Sequence, residues 1–356
     1  MQAMILTQIC DLQTNPTPLR LVEWPDPVPT GNEILVRVSV CGVCHTELDE
    51  IEGRTPPPHL PVILGHQVVG RVTATSAALS AGVGDQVRGV SIGQRVGVAW
   101  IYTACGVCSY CRAGQENVCP HFQATGRDAH GGYAEQMVVD ANFAYPIPES
   151  LADATAAPLL CAGAIGYRSL RLTGLQDGQT LGLTGFGASG HLVLKIARYL
   201  YPHTAVHVFA RSEKEQRFAR ELGAAWAGDT LDTPPQPCDA IIDTTPVWKP
   251  VVAALQNLAP GGRLVINAIR KEEVDKAELL RLDYPIHLWL EKEIKSVANI
   301  TRQDVRDFLA LAAAMNIQPE VEEHPLADAN RALLELKRGQ IRGAKVLRID
   351  QDPQGF

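Results

Sequence analysis

The sequence has no run of about 18 or more apolar residues, the length that reads as a membrane-spanning helix, so no span is expected. Residues 1–11 lack the basic segment and apolar core of a secretory leader. There is no surplus of positive charge: 32 Lys and Arg stand against 39 Asp and Glu, a net charge of -7. That balance argues against a general nucleic-acid or anionic-membrane binder. Internal repeats and low-complexity tracts are also absent. The chain carries 9 cysteines and no export signal, which points to a reducing compartment, by default the cytoplasm, where thiols serve metals or cores. What remains is a soluble globular composition, 46% hydrophobic and 20% charged over 356 residues, long enough for two domains.

Four of the thiols, Cys105, Cys108, Cys111 and Cys119, are crowded into one short stretch. Thiolates at this spacing can close a tetrahedral shell around one zinc ion and leave no position for substrate, so the stretch reads as a structural metal site. Unpaired or disulfide-bonded cysteines are the plainer alternative.

The first 150 or so residues are β-rich in pattern. Segments 34–40 and 67–73 are β-branched and partly alternating, and prolines punctuate the region at 25, 27, 29 and 56–58. After about residue 160 the texture changes. Strand-like segments at 180–184, 205–209, 240–243 and 263–267 alternate with helical patterns near 189–201, 213–222 and 249–258. Such alternation argues for a parallel sheet with crossover helices. A helix near 302–315 and a strand near 344–349 follow, and this C-terminal part is expected to rejoin the first domain. The expected division is 1–162, 163–297 and 298–356.

Gly185, Gly187 and Gly190, with Ala188 and Ser189 between them, form a G-x-G-x-x-G run between an expected strand and an expected helix. In that setting each glycine has a function: a tight turn, close approach to a pyrophosphate, and close helix–strand packing. A ligand-free glycine turn is the alternative. The acidic residue that would hold the ribose hydroxyls of NAD is missing. The second strand ends instead in Ala210, Arg211 and Ser212, with Lys214 nearby. A guanidinium and a hydroxyl without a carboxylate suit a 2′-phosphate and favour NADP over NAD. If Arg211 is only a solvated surface charge, either cofactor would serve.

Cys44, His66 and Cys161 supply two thiols and an imidazole, the donor set of a zinc site with one open position. They are scattered, and spacing alone does not single them out from buried cysteines and a core histidine. A resemblance does. The chain resembles the zinc-dependent medium-chain alcohol dehydrogenases over nearly its whole length. The residues that carry it are 41–46 (Cys-Gly-Val-Cys-His-Thr), Gly65 with His66, the four-cysteine lobe, 131–135 (Gly-Gly-Tyr-Ala-Glu), 157–163 (Ala-Pro-Leu-Leu-Cys-Ala-Gly) and the glycine loop.

The resemblance implies an α/β architecture, a GroES-like β-rich catalytic domain plus a Rossmann-type doubly wound parallel-sheet domain, with the site in the cleft between them. It implies two zinc ions per chain: a catalytic one on Cys44, His66 and Cys161, and a structural one on Cys105, Cys108, Cys111 and Cys119. It also implies interconversion of primary alcohols and aldehydes by hydride transfer with a nicotinamide cofactor, in a homo-oligomer, dimer or tetramer. Thr46 would relay the proton, His45 would help bind the pyrophosphate, and Trp100 would line the substrate pocket unless it is a core tryptophan. Cys10, Cys41 and Cys238 are left as ordinary thiols.

The chain departs from the family pattern at several positions. Gln67 stands where glutamate is usual and Glu47 where aspartate is, changes expected to make zinc more electrophilic. Glu52 takes the place of a histidine on the proton path of many microbial members. Thr55 replaces a bulky tryptophan of the ethanol-active enzymes, so larger alcohols and aldehydes, aromatic or medium-chain, are expected to be preferred. Ala344 stands where an arginine often meets the pyrophosphate, with Arg342 or Lys345 as substitutes. The competing readings are a zinc-free quinone or enoyl reductase of the same superfamily and a non-catalytic nucleotide-binding relative.

Overall fold

The alternation at 34–40 becomes the strand Glu33–Val43 in the computed structural model, with Ile34, Val36, Val38 and Val40 all buried. The structure describes residues 1–80, 86–87 and 90–350, and the side chains of 80, 86 and 87 are outside that description. The chain divides into two compact units, Met1–Cys161 with Thr301–Phe356, and Ala162–Ile300.

The first unit is built on a seven-stranded sheet. Glu33–Val43 pairs antiparallel with Val68–Thr75, Gln136–Asp140 and Ala344–Arg348. Arg95–Val98 and Ala144–Pro146 continue one side, and Val321–Pro325 closes the other in parallel with Ala344–Arg348. A three-stranded sheet of Leu19–Glu23, Gln2–Leu6 and Val62–Ile63 joins it around one apolar core that includes Met4, Leu6, Ile51, Leu64 and Val68. Alternating apolar residues drive this packing, each buried aliphatic side chain contributing about 1.5–3 kcal/mol. The helix Arg302–Ala314 opens on a capping box: Thr301 accepts from the Asp304 N–H, and the Asp304 carboxylate accepts from the Thr301 N–H.

The second unit is a six-stranded parallel sheet in the order Trp226–Gly228, Ala205–Phe209, Thr180–Thr184, Cys238–Asp243, Leu258–Ile266, Glu293–Ser296. Numbered within the unit, that order is 3-2-1-4-5-6, the doubly wound arrangement. Thr180–Thr184 is buried throughout, as a central parallel strand covered on both faces must be. The helices Ala188–Leu200, Glu213–Glu221 and Lys249–Gln256 are the crossovers. Two strands escaped the sequence pattern: Trp226–Gly228, only three residues long, and the polar, exposed edge strand Glu293–Ser296.

Candidate metal and nucleotide sites

Cys44 follows the strand Glu33–Val43 and caps the helix His45–Ile51. Its thiol accepts from the Thr46 N–H at 3.4 Å and lies 3.6 Å from His66 Nε2. His66 follows Gly65, whose φ of +96° few other residues adopt; a Cβ there would also clash with the Tyr133 ring. Cys161 comes from a π-helical turn, Leu159–Gly163, that follows Pro158. Such turns often mark functional positions. The ligand atoms of Cys44, His66 and Cys161 all lie within 4.8 Å of one another.

Glu47 ties this cluster together. One carboxylate oxygen accepts from the Cys44 N–H at 2.8 Å, and the other lies 2.7 Å from His66 Nδ1. The carboxylate thus sits at the Nδ1 side of the imidazole, whose Nε2 faces the Cys44 thiol, a placement that suits a metal-binding tautomer. The Cys161 thiol, burial and Glu47 together push the Cys44 thiol well up. Burial acts to lower His66, but Glu47 and Cys44 overcome it and hold the imidazole well above its usual range. Two thiols and an oriented imidazole therefore fit a zinc ion with a fourth position open.

Sequence reasoning missed Glu50. It is fully buried on the same short helix, with no hydrogen-bond partner for either oxygen, and burial and then Glu47 push its carboxyl well above the usual range. No sequence signal marked it: three acidic residues in 47–50 read as a solvated face, yet Glu47, Asp49 and Glu50 are all buried.

The four thiols of the lobe converge as well, their sulfurs within 4.8 Å of one another. Cys119 Sγ lies 3.6 Å and Cys111 Sγ 3.9 Å from Cys105 Sγ, too far for a disulfide. The backbone N–H groups of Val107 and Cys108 hold the Cys105 thiol down to about 6, whereas burial and the neighbouring thiols push Cys111 up to about 12. Four sulfurs without an open position fit a structural zinc.

A third converging group, Glu322, His324 and Glu335, already has its cation. The buried Lys345 ammonium donates to Glu322 at 2.7 Å and Glu335 at 2.6 Å. Lys345 is therefore committed there, and Arg342 to Glu320 at 2.7 Å, so neither is free to replace the arginine missing at Ala344.

Glu52 does not stand as an available proton acceptor. Its carboxylate pairs with Arg54 and Lys337 and accepts from the Leu12 N–H, and despite partial burial these partners hold it below the usual range. Thr46 is half-buried and His45 exposed. Thr55 has a buried hydroxyl oxygen with no hydrogen-bond partner. Trp100 is buried, its ring 5.2 Å from Phe122. Gln67 is buried against Gly42, where a Cβ would meet its Oε1 at 2.6 Å.

In the second unit Gly185 turns with φ of +81° at the end of Thr180–Thr184. A Cβ on Gly190 would meet the Gly185 carbonyl oxygen at 2.7 Å, so helix and strand approach as only glycine allows. Gly187 heads the helix Ala188–Leu200 with no side-chain cap, and a Cβ there would meet nothing within 4 Å. Free N–H groups beside open space form a cradle that fits a pyrophosphate. Beyond the next strand Ala210 is buried, with its N–H on the Gly228 carbonyl. Arg211 and Lys214 are exposed. Ser212 caps the helix Glu213–Glu221, accepting from the Glu215 N–H and donating to the Glu215 carboxylate.

Residues 30–149 match the alcohol dehydrogenase GroES-like domain. A probable alcohol dehydrogenase of Mycobacterium tuberculosis, AdhA, is 44% identical over 332 residues, 93% of this chain and 93% of that one. The chain belongs to the medium-chain alcohol dehydrogenases. Its fold is shared with CAD from Helicobacter pylori complexed with NADP(H), at 21% identity and a TM-score of 0.84 over 99% of this chain and 98% of that one. It is likewise shared with a cobalt- and zinc-bound thermostable alcohol dehydrogenase from Pyrobaculum aerophilum, at 24% identity and a TM-score of 0.82 over 98% and 99%. As an alcohol dehydrogenase the chain interconverts alcohols and aldehydes.

Proposed function

We propose that this dehydrogenase is a zinc-dependent, NADP-preferring enzyme acting on primary alcohols and aldehydes bulkier than ethanol and acetaldehyde. The convergence of Cys44, His66 and Cys161, with Glu47 bridging two of them, carries the zinc reading. A zinc ion held there supplies Lewis acidity to an alcohol or carbonyl oxygen, and a bound nicotinamide accepts or gives the hydride. Glu47 keeps the imidazole oriented and the Cys44 backbone in place. The Thr46 hydroxyl moves the proton, and the route beyond it bypasses Glu52, which Arg54 and Lys337 occupy. Thr55 and Trp100 shape the substrate pocket, and His45 assists at the pyrophosphate. The relatives bound to zinc or NADP(H) support both cofactors.

The second zinc, on Cys105, Cys108, Cys111 and Cys119, is structural. The preference for NADP rests on Arg211, exposed beside a strand end that lacks a carboxylate, with Lys214 near it. The Ser212 hydroxyl is taken up by the helix cap and the Glu215 carboxylate, so the preference does not draw on it. The test is kcat/KM with NADPH and with NADH across aliphatic and aromatic aldehydes. The proposal expects higher values with NADPH and with the bulkier aldehydes. Equal values with NADH reduce Arg211 to a surface charge, and a preference for acetaldehyde removes the enlarged pocket.

The protein is further proposed to be a cytoplasmic homo-oligomer, a dimer or tetramer. No helix among the described residues is long and apolar enough to cross a membrane. The edge strand Glu293–Ser296 is exposed along its length, and Leu280, Tyr284, Trp289, Leu290 and Ile294 lie exposed on or before it. An unpaired edge with apolar neighbours suits a second copy of the chain. Light scattering that returns the monomer mass of 38.5 kDa at working concentrations would contradict this.

A further inference from the structure

The glycine turn of the second unit is braced from the side. Gly185 lies so close to the loop 244–248 that a Cβ on it would meet Thr244 Oγ1 at 2.7 Å and Thr245 Cγ2 at 3.1 Å. That loop leaves the sheet at Asp243, the last residue of Cys238–Asp243. Asp243 is fully buried, and both carboxylate oxygens are engaged. Oδ1 accepts from the Thr245 hydroxyl at 2.8 Å, and Oδ2 accepts from Lys271 Nζ.

Lys271 comes from the loop that follows the neighbouring strand, Leu258–Ile266. Its side chain is 8% exposed, and its ammonium donates also to the carbonyls of Thr245 at 2.7 Å and Val247 at 3.1 Å. It thus uses all three of its protons. The loops are joined twice more. The Glu272 N–H donates to the Pro246 carbonyl at 2.7 Å, and Asp275 accepts from the N–H groups of Trp248 and Lys249 at the head of the helix Lys249–Gln256.

A buried ion pair adds little stability over a well-packed apolar pair of the same volume. What it provides is position: one ammonium fixes a side chain and two carbonyls at once, in a loop that bears on the phosphate turn. We propose that Asp243 and Lys271 form a clasp that presets the loop 244–248 against Gly185, and so builds the dinucleotide platform before the cofactor arrives. Both are positioning residues, acting through Thr244 and Thr245. A platform already ordered spares cofactor binding the cost of ordering it. The inference rests on the reading of this unit as the nicotinamide dinucleotide carrier.

The test is the dissociation constant of NADPH and NADH, followed by nucleotide fluorescence, with the melting temperature recorded alongside. Lys271→Met is expected to raise the constant for both nucleotides by roughly tenfold or more. Because that variant leaves a buried carboxylate unpaired, the double variant Asp243→Asn with Lys271→Met is the decisive one. It is expected to melt closer to the parent while still binding cofactor weakly. Constants within about twofold of the parent in the double variant overturn the clasp, whatever the melting temperature does. A parent protein that binds neither nucleotide overturns the cofactor reading itself, and the clasp with it.

Discussion

At the scale of single residues, Glu47 makes the sharpest prediction. One carboxylate serves both the His66 imidazole and the Cys44 backbone, so Glu47→Ala loses two anchors together. Loss of a group that orients a metal ligand costs roughly 10- to 100-fold in metal affinity or activity. A chelator-competition titration of Glu47→Ala should show that loss, while Glu47→Gln, which keeps one of the two acceptor oxygens, should lose less. Undiminished affinity in Glu47→Ala would mean that the imidazole needs no second partner. Arg211 makes the second. If its guanidinium meets the 2′-phosphate, Arg211→Ala raises KM for NADPH by about tenfold or more and leaves KM for NADH nearly unchanged. Equal effects on both would place the arginine elsewhere. The ligands themselves were not legible from spacing: Cys44, His66 and Cys161 lie far apart in the chain, and no periodicity links them. Family resemblance suggested the set, and the fold brings their ligand atoms within 4.8 Å. Glu50 was illegible for the opposite reason. An acidic residue three positions after Glu47 reads as a solvated helix face, yet it is fully buried.

At the scale of elements, the glycine loop separates folding from binding. Gly190→Ala drives a methyl onto the Gly185 carbonyl, so helix and strand must part and the protein should lose stability. Gly187→Ala meets no atom of the chain, so it should melt like the parent while binding NADPH more weakly. Melting curves and cofactor titrations on the two variants check this, and normal binding by Gly187→Ala would remove the phosphate from this turn. Thr301→Ala tests a purely structural element. It breaks the capping box of Arg302–Ala314 and should cost about 1 kcal/mol in a urea titration, with turnover of the folded enzyme unchanged. The long elements were legible because their patterns are long. The buried run at 180–184 and the alternation at 34–40 reappear as strands. Trp226–Gly228 has too few residues to show a period, and Glu293–Ser296 has no buried face to impose one. Strand Leu258–Ile266 also begins earlier than expected, because two glycines mask its start.

At the scale of the whole molecule, two units with separate features share one chain: a β-rich unit that brings Cys44, His66 and Cys161 together, and a parallel sheet that carries the glycine turn. The parallel sheet was readable from strand-helix alternation, and the enzyme class from the family resemblance carried by the motifs; substrate and cofactor choice hang on a few side chains whose neighbours no pattern announces. The exposed edge adds one prediction at this scale. Ile294→Lys, which places a charge on the strand that would meet a second copy, should shift the sedimenting species toward monomer. The most direct measurement follows zinc content and NADPH-linked aldehyde reduction in one sample, through dialysis against a chelator and readdition of zinc. The account predicts two zinc ions per chain at the start, loss of turnover as the more open site empties, and recovery when zinc returns. Turnover that persists after both ions are gone would contradict it.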